Sequence, residues 1–232
     1  MNPYGAPGVP LVPASGPNIP AVPMQQPKNL FRYGEQSLWS AQMHVGGTAL
    51  ANGSFRTFAT SIGRTGQGFV NALTIAETNL KESGRIPNGV AFDCFGVAAQ
   101  FYKSDGVADA GDITTAVNNT ADVDELINTQ YNCALSWDFT QTQVDIAPFD
   151  LCGAGGGAFG AVATTQNNVS TGDMSNGPGS IWMYRKHPVA LPGATTFSIL
   201  LRYGSRAAAT GTNSSVIRVV LFGYYKNVIE IG

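Results

Sequence analysis

The chain has 232 residues, of which 44% are hydrophobic, 12% are charged and 28 are glycine, and its formal net charge is -2. The hydrophobic fraction excludes disorder throughout, and the slightly acidic balance excludes a protein whose main task is to neutralise phosphates over a broad surface. Charge is unevenly spread: between Arg85 and Arg185 the one basic residue is Lys103 against eleven acids, whereas from Arg185 onward six Lys or Arg face Glu230 alone.

Residues 1–27 hold eight of the thirteen prolines and no charged side chain. Proline at every third or fourth position fixes φ, removes amide donors and biases its predecessor to extended backbone, which excludes helix and central strand alike. The segment therefore reads as an extended arm. Its fillers are apolar (Leu11, Val12, Ile19, Val22 and Met24) where a solvated linker carries Ser, Lys and Glu. Such an arm suits a groove on another surface, so Pro3, Pro7, Pro10, Pro13, Pro20 and Pro23 join those fillers as the predicted subunit-contact residues. The expected division is an arm over 1–29 and one β-sandwich domain over 30–232. No charged region precedes an apolar one at the start, and no stretch approaches the roughly 18 apolar residues of a spanning helix, so the expected product is soluble and made in a cytoplasm.

From Leu30 onward short apolar runs alternate with Gly, Asn, Asp and Pro, the pattern of an all-β sandwich or barrel. The predicted strands are 37–45, 54–60, 69–76, 89–102, 130–138, 142–147, 180–186, 194–203 and 215–224, with a terminal pairing over 226–231. In 194–203, Phe197, Ile199, Leu201 and Tyr203 share one face. In 215–224, Val216, Arg218, Val220 and Phe222 oppose Ile217, Val219 and Leu221, so this strand reads as apolar on both sides and belongs at the centre of a sheet or at a subunit contact. One short helix is predicted over 121–129, where Asp122, Asp124 and Glu125 precede Leu126 and Ile127, since acids suit a helix's first turn. Two long loops, 103–120 and 151–179, exceed ordinary hairpin length and are predicted to carry contacts.

Chemistry-bearing motifs are sparse. Cys94, Cys133 and Cys152 are odd in number and lack C-x-x-C spacing, so they read as buried free thiols. Gly155 to Gly160 satisfies G-x-G-x-x-G, but no helix follows to present its N-terminus to a phosphate. His44 and His187 have no local partner that would make a zinc site or a hydrolase triad. Asp105, Asp109, Asp112, Asp122, Asp124 and Glu125 have the oxygen chemistry calcium prefers without the EF-hand order, and Asp138 with Asp145 has no diagnostic spacing for glycoside hydrolysis. No catalytic, cofactor-binding or metal-binding residue is assigned, and the expectation is a non-enzyme.

The order Thr78-Asn79-Leu80, then Gly84-Arg85-Ile86-Pro87-Asn88-Gly89 leading into Val90-Ala91-Phe92-Asp93-Cys94-Phe95, resembles the jelly-roll major capsid proteins of small icosahedral viruses and bacteriophages. Thr142-Gln143-Val144-Asp145-Ile146-Ala147-Pro148 and Pro188-Val189-Ala190-Leu191-Pro192-Gly193 fit the same pattern, which covers roughly residues 35 to 225. The resemblance implies a single eight-stranded jelly-roll and a structural protein that self-assembles in many copies into a virion shell, after synthesis in the host cytoplasm. Minor capsid proteins and an internal membrane are the further partners it implies. Because counterion release from nucleic acid requires Lys or Arg, the uncharged arm is expected not to bind the genome. The alternative is a receptor- or glycan-binding sandwich, a spike head or lectin-like module, that presents its long loops and aromatics such as Tyr102 and Trp182.

Overall fold

The computed structural model describes residues 29–104, 113–114, 120–140, 142–153, 158–159, 174–175, 181–211 and 213–230. The arm, with every predicted subunit-contact residue, lies outside the described residues, as do most of the acidic segment after Ser104 and of the Gly-rich segment after Gly153. In chain order the strands are β1 (Asn29–Glu35), β2 (Leu38–His44), β3 (Ser54–Thr57), β4 (Val90–Ser104), β5 (Ile113–Thr114), β6 (Cys133–Phe139), β7 (Thr142–Pro148), β8 (Ala158–Phe159), β9 (Met174–Ser175), β10 (Trp182–Met183), β11 (Val189–Leu191), β12 (Phe197–Tyr203) and β13 (Ser215–Glu230). The helices are α1 (Thr120–Asn132) and the single turn α2 (Phe149–Cys152).

The strands form two antiparallel sheets whose inner faces share one core, the all-β sandwich that the alternation predicts. The larger sheet is built around β13. Its first half pairs with β2 and its second half with β1 on one side, while β4 runs along nearly its whole length on the other. Beyond β4 stand the short strands β5, β10 and β11. The smaller sheet has the order β3-β12-β6-β7. The small β8-β9 ribbon stands apart from both.

Side-chain alternation explains which face each strand turns inward. Phe197, Ile199, Leu201 and Tyr203 of β12 are all buried in the core, as their period-2 spacing requires. Ile217, Val219 and Leu221 of β13 face them from the other sheet, in register with Phe101, Ala99 and Val97 of β4. The opposite face of β13 is covered as well: Val216 packs with Ala41 and Met43 of β2, and Phe69 and Tyr102 close over that cluster. Phe69 comes from the long connection between β3 and β4, which also seals the free edge of β2. Met43 N–H donates to Gln67 O (2.8 Å), Trp39 N–H to Asn79 Oδ1 (2.9 Å) and Asn79 N–H to Trp39 O (3.2 Å). An edge strand left with unpaired amides is a template for aggregation, and this loop removes it.

Three predicted elements differ from those observed. Residues 69–76 are not a strand but a series of turns with one bridge, Thr65 to Ala72, and Val70 is 64% exposed. The positive φ of Gly63, Gln67 and Gly68 folds the segment back on itself, and a Cβ on Gly68 would collide with Met43 O. The predicted strand 180–186 shrinks to the two residues of β10, and pairing with β4 resumes only at β11. The helix extends to Asn132 rather than 129, held by Asn132 Nδ2 donating to Asn128 Oδ1 (2.7 Å) and terminated where Gly204 N–H donates to Asn132 O (2.8 Å). The strand β1 escapes prediction because it begins two residues after the last proline of the arm.

Truncation of Leu201, fully buried between the sheets, is expected to cost about 2–5 kcal/mol through lost burial and the cavity left behind. Val70→Ala, on the turn segment, is expected to stay within about 0.5 kcal/mol. Urea denaturation of the two variants beside the parent chain checks both values.

Candidate functional site

Two features collect the groups that sequence reading marked as chemically interesting: a sealed polar cluster under α1 and an open apolar trough on one flank. The cluster begins with register. His44, Ser215 and Lys103 stand side by side across β2, β13 and β4, all turned inward and all buried. Inward alternation would ordinarily place apolar residues at this end of the sheet, as it does for Phe101 and Ile217 one step away. The charge is met by α1, whose buried stripe is Glu125, Leu126 and Thr129. Lys103 Nζ donates to Glu125 Oε2 (2.5 Å) and to Asn213 O (3.0 Å), and Gly211 N–H donates to the same Glu125 oxygen (3.0 Å). The pair therefore ties helix, sheet and the loop before β13 at one point.

His44 completes the cluster from β2. Its ring packs against Phe55 and Tyr203 of the opposite sheet, at centroid distances of 4.4 and 5.6 Å. Burial first, and the positive Lys103 second, lower its pKa to about 4, so it is neutral at pH 7. Its Nε2, Glu125 Oε1 and Ser215 Oγ have no hydrogen-bond partner among the described residues. With His44, Lys103, Glu125 and Ser215 all buried, the arrangement anchors α1 to the sheet.

The remaining candidates are dispersed. Cys94, Cys133 and Cys152 are buried free thiols, as predicted, and burial pushes all three up, Cys94 and Cys152 to about 12. Asp138 is held by Arg56 (3.1 Å) and accepts from Ser198 Oγ, while Asp145 is held by Arg202 (2.9 Å) and accepts from Ser136 Oγ. The two carboxylates thus serve separate ion pairs on the outer face of the smaller sheet. Of the predicted calcium-type acids, Glu125 is the one whose side chain is described, and Lys103 occupies it. Tyr102 packs in the outer cluster and Trp182 against the main core, so neither aromatic is a bare sugar platform. Among the described residues no group of three His, Cys, Asp or Glu is placed to hold a metal, and no helix is long and apolar enough to cross a membrane.

The trough lies where β7, an edge of the smaller sheet, and α2 face the segment Ile181–His187, at the edge of the larger one. Its volume is about 820 Å³. Leu151, Ile181 and Met183 line it at 47%, 40% and 46% exposure, together with the less exposed Ile146, Trp182 and Tyr184, the basic Arg185, Lys186 and His187, and one acid, Asp145. Gly96 of β4 lets the segment approach closely, since a Cβ there would meet Ile181 and Met183 at 3.0 Å. Sequence reading missed both features. The available signals were Lys103 at an inward position of an apolar strand, and the alternation of Ile181 and Met183 with Trp182 and Tyr184, which leaves apolar side chains on both faces of a two-residue strand.

Comparison with protein-family models, with curated proteins and with solved structures found no match to this chain.

Glu125→Ala removes the carboxylate that meets the buried Lys103 ammonium and is expected to cost about 3–5 kcal/mol, whereas the double variant Lys103→Met, Glu125→Met is expected to lose less than either single change. Urea midpoints, with amide exchange of α1 as local readout, test the pair. His44 sets a pH dependence of definite sign. Between about pH 6.5 and 4 the unfolded chain takes up the imidazole proton and the folded one does not, so stability falls as pH falls through that window, by about 3 kcal/mol in full. His44→Phe is expected to flatten that part of the curve, and equal slopes in parent and variant would show that another group carries it.

Proposed function

We propose that this chain is a structural shell protein, a capsid subunit that assembles with copies of itself into a closed icosahedral particle, and that its sandwich is a single eight-stranded jelly-roll. Support for the fold comes from nested pairing. Setting aside β1 and the short β5, β8 and β9, and taking β10 and β11 together, eight strands remain in chain order. The first pairs with the last (β2 with β13), the second with the seventh (β3 with β12), the third with the sixth (β4 with β10 and β11) and the fourth with the fifth (β6 with β7). One long antiparallel ribbon rolled on itself produces that order, and the jelly-roll is its name.

Fold alone does not assign function, because jelly-rolls also serve lectins and enzymes. The observation that carries the assembly reading is the root of the arm. β1 joins the arm to the body through seven consecutive register pairs with β13, from Asn29 opposite Glu230 to Glu35 opposite Tyr224. A tail with no task gains nothing from being sewn into the central strand. A strap that holds subunits together needs such an anchor, and its charge-free sequence directs it to protein or lipid rather than to a genome. The sealed polar cluster adds weight, since the chain's most concentrated chemistry is spent on packing. In this reading the protein is made in the host cytoplasm and ends in the virion, with minor capsid proteins or an internal membrane as further partners.

Purified full-length chain, examined by light scattering and negative-stain microscopy, is expected to form closed particles of uniform diameter. An assembly that stops at a discrete small oligomer, such as a trimer, would instead favour a receptor- or glycan-binding head.

A further inference from the structure

We infer that the apolar trough between β7 and Ile181–His187 is the receptor for the proline-rich arm, residues 1–28, of a second copy of this chain. The inference deepens the shell-protein reading and rests on it for the presence of neighbouring copies, but its contact is defined independently of particle shape. Three observations carry it: the chemistry of the trough's apolar lining, the donor and acceptor balance of its polar groups, and the placement of trough and arm root on one sheet.

The first is the match of surfaces. Proline-rich segments favour polyproline II backbone, which loses little conformational entropy on docking and lies in apolar grooves lined by aromatic rings. The trough offers Trp182 and Tyr184 with Leu151, Ile181 and Met183 exposed beside them. Tyr184 is held in place by Trp137, whose Nε1–H donates to the Tyr184 hydroxyl at 2.7 Å. The arm brings Leu11, Val12, Ile19, Val22 and Met24 between its prolines, and no charged side chain before Lys28 at its root.

The second is hydrogen-bond balance. Eight of the first 27 residues are proline, so the arm presents backbone carbonyls in excess of amides and is a net acceptor. The polar lining of the trough is Arg185, Lys186 and His187, exposed groups rich in donors, beside one carboxylate, Asp145, that Arg202 holds. An arm with acidic side chains would also suit these basic groups, but an acceptor-rich neutral one does so while burying an apolar underside.

The third is placement. The larger sheet runs β1-β13-β4-β10, so the arm leaves from one edge and the trough lies at the opposite edge, three ladder steps or about 14 Å across. Root and receptor are thus different patches of one molecule, the condition for a heterologous contact that each subunit both gives and receives. Such contacts propagate from copy to copy and close into rings or shells, whereas a self-complementary patch stops at a dimer. At about 3.1 Å per residue, 28 residues of polyproline II reach roughly 85 Å, ample to bridge neighbouring subunits.

The test uses the full-length chain with Val12 replaced by the photo-crosslinking residue benzoylphenylalanine, prepared in light and heavy isotope forms and mixed before assembly. Irradiation and peptide mass spectrometry are expected to join the arm of one isotope form to Leu151 or to 181–187 of the other. Crosslinks confined to other regions, or found solely within one isotope form, overturn the inference. Leu151→Lys with Met183→Lys, both at half-exposed positions, is expected to lower the inter-copy crosslink yield at least tenfold. Tyr131→Lys, at a site 80% exposed on α1, is expected to leave that yield unchanged. Undiminished crosslinking in the double variant likewise overturns the inference. Particles whose crosslinks land elsewhere refute the trough but keep the shell reading. Inter-copy crosslinks at the trough in a chain that forms only small oligomers keep the trough and refute the shell.

Discussion

A strand that is apolar on both faces cannot stand as the outer wall of a sandwich, and β13 is such a strand for its first half. Its inner residues, Ile217, Val219 and Leu221, enter the core, and its outer residue Val216 needs a second cover. That need explains the length of the connection between β3 and β4, which brings Phe69 over the outer face and supplies Gln67 and Asn79 to the edge of β2. It explains the length of β4 as well. A strand of 16 residues flanked on one side by β2 and then β1 needs a partner of similar reach on the other, and β4 has 15. The two keep company through an irregularity at Phe222/Gly223, where a Cβ on Gly223 would strike the Phe92 ring and Asp93 O. Bulges of this kind add twist and let a long ribbon curve around a core.

The polar end of the core follows from the same geometry. Lys103 is the next inward position of β4 after Val97, Ala99 and Phe101, and a charge placed there must be compensated or it unfolds that end. The region from Arg85 to Arg185 carries eleven acids and this single base. Of those acids, Glu125 reaches it, because α1 lays Glu125, Leu126 and Thr129 along one stripe against the sandwich. A buried ion pair contributes little net stability compared with an apolar substitute, but it tolerates only one docking of the helix. The segment that carries Glu125 is thereby fixed to the body at a defined point.

How much of this was legible in the sequence depends on whether a residue's fate was decided by its own strand. The period-2 pattern of Phe197 to Tyr203 and the two-faced pattern of Val216 to Phe222 are local facts, and both elements stand where the pattern puts them. The three buried thiols were legible for the same reason. Residues 69–76 have strand composition but form a single bridge, Thr65 to Ala72: the edge they lie against is bonded by Gln67 and Asn79 on either side, and the positive φ of Gly63, Gln67 and Gly68 turns the chain before a ladder can form. The predicted strand 180–186 likewise has strand composition, but its ladder with β4 lapses after Met183 and resumes at Val189 opposite Cys94, so the residues between bulge out of the edge. The Lys103–Glu125 pair spans 22 residues and two elements, so only tertiary structure could bring it together.

The site is the less legible part, for a physical reason. Catalytic and metal sites leave marks in sequence because their chemistry demands particular residue types, whereas a surface that grips another chain demands only shape and apolar area. The trough is made of Leu, Ile, Met, Trp and Tyr, residues that any reading of sequence assigns to a core. Here Leu151, Ile181 and Met183 stand 40–47% exposed where β7 and α2 face β10. The arm carries the complementary mark, apolar side chains in a segment too rich in proline to fold into a core of its own. In the proposed contact each supplies one half, and β1 would make whatever holds the arm pull on β13. Because β1 runs antiparallel along β13, a pull along the strand axis loads its seven pairs together instead of peeling them one at a time. The strand around which the fold is organised is therefore also the one through which force between subunits would pass.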